Sequence, residues 1–152
     1  MRVRLFRRQA ENVFDDDYEF DLGKADLLRD GSDVTLIASG VCVANALQAA
    51  ETLAQEGVSA RVLNIHTIKP IDADAVIKAA SETGALVTAE NHNVIGGLGS
   101  AVAEVLAEQR PTPLERVGVK DHFGQVGKAP YLMGVFGITA ADKAARKAIA
   151  RK

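Results

Sequence analysis

The sequence predicts an α/β fold: short buried strands alternate with amphipathic helices, giving a three-layer α/β/α arrangement around a largely parallel sheet. Three observations predict it. The chain is 47% hydrophobic but only 5% aromatic, with no tryptophan and with alanine, valine and leucine common. Apolar residues switch repeatedly between continuous β-rich runs and helical spacing. Glycines and prolines fall between these runs as punctuation.

The elements follow in order. Residues 33–38, Asp-Val-Thr-Leu-Ile-Ala, form a β-rich run bounded by Gly31-Ser32 and Gly40. Val43, Ala46, Leu47, Ala50, Leu53 and Ala54 then recur with the spacing of one helical face, and Gly57 is placed to end that helix. Residues 60–65 read as a second strand. Pro70 breaks the chain, Asp72 is placed to cap, and Val76, Ile77, Ala79 and Ala80 continue as a helix to Gly84. Residues 85–90 read as a third strand, residues 100–108 as a third helix and residues 114–119 as a fourth strand. Thr139-Ala140-Ala141-Asp142 opens the last helix like a capping box, with Asp in place of Glu or Gln. Its final turns carry Lys143, Arg146, Lys147, Arg151 and Lys152, a solvated basic face that suits a helix C-terminus. Four parallel strands are readable; periodicity does not reveal an antiparallel edge strand.

The first 30 residues read differently, as a linker or arm ahead of a domain at 31–152. Residues 3–7 alternate like a strand, and Asp15-Asp16-Asp17 reads as a charged turn. Tyr18-Glu19-Phe20 and Ala25-Asp26-Leu27-Leu28 are spaced to pair as a hairpin around Leu22-Gly23-Lys24. An opening strand with nothing upstream to pair with implies a missing neighbour, so residues 1 to ~15 are expected to be mobile or paired with another chain.

Composition excludes several classes. The 152 residues fit one domain. No apolar run approaches the ~18 residues that cross a bilayer, and Arg2, Arg4, Arg7 and Arg8 precede no apolar stretch of a secretory signal. The single cysteine, Cys42, excludes an internal disulfide and a cysteine-built zinc site. A cytoplasmic location is expected, and a net charge of −2 gives no reason to expect nucleic acid.

The stretch with most chemistry runs from Glu90 to Ala101, Glu-Asn-His-Asn-Val-Ile-Gly-Gly-Leu-Gly-Ser-Ala, where the third strand hands over to the third helix. Ligands of open α/β sheets bind at the carboxyl ends of strands, where helix N-termini offer free N–H groups. Glu90, His92, Gly96, Gly97, Gly99 and Ser100 are therefore candidates for an interface or an anion site. A dinucleotide site is disfavoured, because Gly97-Leu98-Gly99-Ser100-Ala101-Val102 lacks the third small residue of that fingerprint. Cys42 near a helix start could be a nucleophile, but a small buried apolar role is the simpler reading. His66, His92 and His122 share no metal-ligand spacing, and Asp121-His122 fits a hydrogen-bonded loop better than a metal pair. Gly23-Lys24 follows no phosphate-cradling glycine loop, and Asp72 and Asp74 are explained by helix capping.

The order of several motifs adds what composition cannot. It includes Asp17-Tyr18-Glu19-Phe20-Asp21-Leu22-Gly23-Lys24-Ala25, the run from Asp30 to Gly40, Ala44-Asn45-Ala46-Leu47-Gln48-Ala49-Ala50 and His66-Thr67-Ile68-Lys69-Pro70-Ile71-Asp72. Glu90-Asn91-His92 with Gly96-Gly97-Leu98-Gly99-Ser100, the run from Gly118 to Gly124, and Gly137-Ile138-Thr139 complete it. Together they cover nearly the whole chain, which resembles the C-terminal domain of transketolase-type thiamine-diphosphate enzymes, most closely the C-terminal subunit of split transketolases. The resemblance implies a five-stranded sheet with one antiparallel edge strand and a role in dimerisation and support. For the complete enzyme it implies transfer of two-carbon ketol units between sugar phosphates with thiamine diphosphate and magnesium. No Gly-Asp-Gly magnesium motif occurs here, so this chain is expected to hold no catalytic, cofactor-binding or metal residue. Its implied partners are the pyrimidine- and pyrophosphate-binding domains or subunits of the same enzyme and a second copy as a homodimer, with no nucleic acid and no membrane. Met1 to Arg8 resembles the last strand of the pyrimidine domain. Related alternatives are 1-deoxyxylulose-5-phosphate synthase, the β subunits of 2-oxo acid dehydrogenases with their acyl-transfer chemistry, and a stand-alone interaction module.

Overall fold

The computed structural model describes residues 3, 5 and 11–152. Its described residues form strands β1 (Asp26–Arg29), β2 (Val34–Ala38), β3 (Ala60–Asn64), β4 (Leu86–Asn93) and β5 (Leu114–Val119). Helices are α1 (Cys42–Gln55), α2 (Ala73–Thr83), α3 (Leu98–Gln109), α4 (Ala129–Val135) and α5 (Ala141–Ile149). The sheet order is β1-β3-β2-β4-β5. β2, β3, β4 and β5 pair in parallel and β1 runs antiparallel to β3 at the edge.

Two apolar layers sandwich the sheet. Leu36, Val62 and Val87 pack with Leu53 of α1 and Ala145 of α5 on one face. Ile37, Leu63 and Leu86 pack with Val76 of α2 and Val102 of α3 on the other. The pleat of β2 divides its residues between the two, and all five are buried, as a central parallel strand requires. The hydroxyl of Thr35 reaches that of Thr83 in α2 at 2.9 Å, so its burial leaves no orphan.

Local signals explain most boundaries. Gly57 takes φ +79° after α1. Its N–H donates to the Ala54 carbonyl and that of Val58 to the Leu53 carbonyl, closing the helix with a Schellman motif. Asp72 caps α2 by accepting from the Ala75 N–H at 3.1 Å. Its second oxygen accepts from the Ala25 N–H at 3.0 Å, just ahead of β1. Asp72→Ala should therefore cost about 1–2 kcal/mol, and Asp72→Asn clearly less, as read by urea denaturation. A loss below a few tenths would show that neither bond matters to stability.

The expected hairpin does not form. Tyr18-Glu19-Phe20 has no strand structure, and Asp26–Arg29 pairs with β3 instead. The open edge of β3 offers a ladder that a lone two-stranded ribbon cannot match. This strand lies on the arm side of the boundary expected at residue 30. The Tyr18 hydroxyl donates to the Asp26 carboxylate at 3.1 Å and Phe14 stacks on Tyr18, so this part of the arm is anchored. The strand expected over residues 3–7 lies, apart from Val3 and Leu5, outside the described residues.

Three further boundaries differ. β4 runs on to Asn93 because, after an irregularity past Ala89, Asn93 pairs again with Val119. α3 starts at Leu98, ahead of the expected Ser100. No capping box opens α5: its N-cap is Ala140, and Asp142 instead pairs with Arg146 at 2.8 Å. Two basic residues of α5 face carboxylates, Arg146 meeting Glu56 at 2.5 Å and Lys147 meeting Glu115 at 2.9 Å. Burial pushes the Glu115 carboxyl up, but hydrogen bonds from Lys147 and Arg151 outweigh it and hold it below the usual glutamate range. Helix α4 has no counterpart in the periodicity.

Candidate functional site

The glycine loop joins β4 to α3 at the carboxyl edge of the sheet. Glu90 is the pivot. It is 2% exposed, and its two oxygens accept the N–H groups of Leu98 and Gly99 at 2.8 Å each. The N-cap of α3 is Gly97, which has no side chain to cap with. A carboxylate from the end of the sheet therefore caps the helix, satisfying two orphan donors and placing negative charge at the positive end of the dipole. The loop between is stapled by Ser100, whose hydroxyl donates to the Val94 carbonyl at 3.0 Å and accepts from the Gly96 N–H at 2.9 Å. The Asn93 side chain accepts from the Ile95 N–H at 2.8 Å.

The candidate glycines have distinct reasons. Gly96 sits at φ +75° in open space, a conformation L side chains rarely adopt. A Cβ on Gly97 would run into the Glu90 carboxylate and meet the Asn93 carbonyl at 2.9 Å. One on Gly99 would lie 2.8 Å from the Thr88 hydroxyl and from the Arg116 side chain. Glu90, Gly97, Gly99 and Ser100 thus come together at the start of α3. His92 does not join them: its ring is exposed and its Nδ1 lies 3.0 Å from the Asn93 carbonyl. An external anion would find the Leu98 and Gly99 donors already engaged by Glu90.

Two residues of this site escaped sequence reasoning. Arg116 on β5 donates to the Val94 carbonyl at 3.1 Å. Gly118 leaves room for the loop, since a Cβ there would meet the His92 carbonyl and Val94 at 2.9 Å. A glycine inside a strand, between Val117 and Val119, was the available signal.

The other candidates are dispersed. Cys42 is fully buried in the first turn of α1 as a core residue. His66 lies against Phe20, ring centroids 4.4 Å apart, with Nδ1 2.8 Å from the Thr67 hydroxyl. Asp121 accepts from Asn93 at 3.4 Å, and His122 is exposed. Among the described residues no three His, Cys, Asp or Glu come together to hold a metal ion. A diphosphate–magnesium group is held through carboxylates beside the phosphates, and the one buried carboxylate of the glycine loop, Glu90, is already engaged by the Leu98 and Gly99 N–H groups, so the described residues there do not fit it.

A second feature was invisible in the sequence. A cleft of about 490 Å³ opens beyond the ends of β2, β4 and β5, beneath α4. It lies where the crossovers from β2 and β4 diverge, the switch point at which open α/β sheets bind partners. Val41, Ala44, Leu132, Met133, Phe136 and Ile138 supply apolar walls. Asn45, which also lines it, has a buried side-chain nitrogen with no acceptor.

The family model described as "Transketolase, C-terminal domain" matches residues 23–142. The 6-deoxy-6-sulfo-D-fructose transketolase subunit SqwH of Clostridium sp. (strain MSTE9) is 55% identical over 152 residues, covering 99% of this chain and 47% of that protein. The 1-deoxy-D-xylulose-5-phosphate synthase 1 of Geobacter sulfurreducens is 42% identical over 129 residues, 84% of this chain and 20% of that enzyme. Among solved structures, a split-gene transketolase described as an inactive β4 tetramer superposes with a TM-score of 0.91 at 45% identity, covering 95% of this chain and 48% of that one. The chain spans about half the length of the transketolase subunits it matches. With a family match over most of its residues and this agreement in fold, the chain belongs to the transketolase C-terminal domain family.

Proposed function

We propose that this chain is the supporting, non-catalytic C-terminal part of a transketolase-type enzyme that transfers two-carbon ketol units between sugar phosphates. Pyrimidine- and pyrophosphate-binding domains or subunits of the same enzyme would hold thiamine diphosphate and magnesium, and the assembly would work in the cytoplasm. The observation that carries this reading is the 55% identity to a transketolase subunit across 99% of the chain. The glycine loop supports it, because its polar groups are consumed in holding strand to helix rather than displayed to a ligand. Relatives named for different sugars share this domain, which favours substrate choice being made elsewhere. The synthase relative favours a second reading, a synthase-type parent enzyme, less strongly because the chain accounts for only 20% of its length.

The same reading includes self-association of the chain, supported by the β4 tetramer described for its structural neighbour. Titration calorimetry of the chain with thiamine diphosphate and magnesium should give no binding heat, and the chain alone should show no ketol transfer. Stoichiometric binding with a micromolar constant would overturn the non-catalytic assignment.

A further inference from the structure

The motif from His66 to Asp72 takes no part in the glycine-loop site, yet three of its side chains hold the arm to the edge of the sheet. His66 lies against Phe20. The Thr67 hydroxyl accepts the Gly23 N–H at 3.3 Å, and the Asp72 carboxylate accepts that of Ala25 at 3.0 Å. Asp26, which opens β1, completes the cluster by accepting from the Tyr18 hydroxyl at 3.1 Å and from the Asn64 amide at 2.8 Å. His66 sits among these contacts with its side chain only 15% exposed.

Both ring nitrogens of His66 face oxygen atoms. Nδ1 lies 2.8 Å from the Thr67 hydroxyl, and Nε2 lies 3.9 Å from the Asp26 carboxylate. A neutral imidazole carries one proton and donates on one side only, whereas an imidazolium donates on both. Nε2 is buried without a hydrogen-bond partner, although an anion stands just beyond bonding reach. Protonation turns that gap into an attraction between opposite charges where water screens little. We infer that His66 is a proton-operated clasp: the charged ring draws in Asp26 and grips residues 18–25 of the arm more tightly than the neutral ring does. The charged group against the ring is Asp26 of β1. β3 presents the uncharged Asn64, the loop after it Thr67, and the arm Phe20 and Tyr18. Burial and then the bond to Asp26 push the Tyr18 hydroxyl up, so it stays a neutral donor. Asp72 is spent on the Ala25 and Ala75 N–H groups. The sign is therefore fixed. With Asp26 ionised, the hold is fullest at about pH 5, where histidine is charged, and fades as pH rises towards about 8.

Amide exchange of the full chain, followed residue by residue by NMR, tests the clasp. Gly23 and Ala25 are the reporters, each rate divided by its open-chain value at the same pH. Their protection should be about threefold or more greater at about pH 5.5 than at about pH 7.5. His66→Gln, which is uncharged at either pH, should shrink this difference to within about 1.5-fold. Asp26→Asn, which keeps an acceptor but removes the anion, should shrink it as well. The amides of Leu36 and Ile37, in the buried strand β2, should keep one pH profile in all three proteins, which separates release of the arm from loss of the fold. Equal protection of Gly23 and Ala25 at both pH values in the unmodified chain would overturn the clasp. So would a difference that survives undiminished in either folded variant.

Discussion

Glu90→Ala is expected to destabilise the chain by about 3 kcal/mol, a large part of the margin of a domain this size. The carboxylate is buried and accepts two N–H groups at the start of α3. Removing it leaves two buried donors unsatisfied, at roughly 1–3 kcal/mol each before relaxation, and withdraws the charge that complements the helix dipole. Glu90→Gln keeps the shape and one good acceptor, so about half the loss should return. Urea denaturation with a common m-value measures both. A loss under 0.5 kcal/mol for the alanine variant would show that the carboxylate is not the cap.

Gly97→Val should cost about 4 kcal/mol or more. The added Cβ has no space beside the Glu90 carboxylate and the Asn93 carbonyl. Either Glu90 leaves its seat, losing both helix bonds, or α3 shifts against the core layer that Leu98 and Val102 anchor. The sequence alone leads to a different expectation, that this glycine admits another subunit and that valine impairs association more than folding. The closest approach at Gly97 is to the chain's own Glu90, so the damage falls on stability. The two positions must then be coupled: in a Glu90→Ala background the obstructing carboxylate is gone, and Gly97→Val should cost at least 1 kcal/mol less than in the unmodified chain. Additive losses would sink this explanation. Gly96→Ala is the contrast, since open space around φ +75° leaves only backbone strain of about 1 kcal/mol.

Much of the fold is determined by the sequence itself. β2 and β3 are largely apolar runs that follow turn residues, and buried parallel strands require that pattern. α1 and α2 are legible because Gly57, Asp72 and Gly84 mark their ends with backbone chemistry that works wherever they sit. The position of the glycine loop is legible for the same reason, since a glycine cluster between strand and helix marks a tight turn with close backbone approach. What only the tertiary structure decided depends on partners distant in sequence. β1 reads as half of a hairpin until the edge of β3 is present to pair with it. α4 carries Pro130 and Gly134 and buries none of its residues, so it has no periodic apolar face to betray it. Glu90 reads as a candidate for an interface or an anion site, but the fold brings the N–H groups of residues 98 and 99 to it and spends its charge on a helix end. The cleft arises from the meeting of three strand ends, α1 and α4, an arrangement without local signature because its walls come from segments as far apart in the chain as Val13, Val41, Asn91 and Leu132.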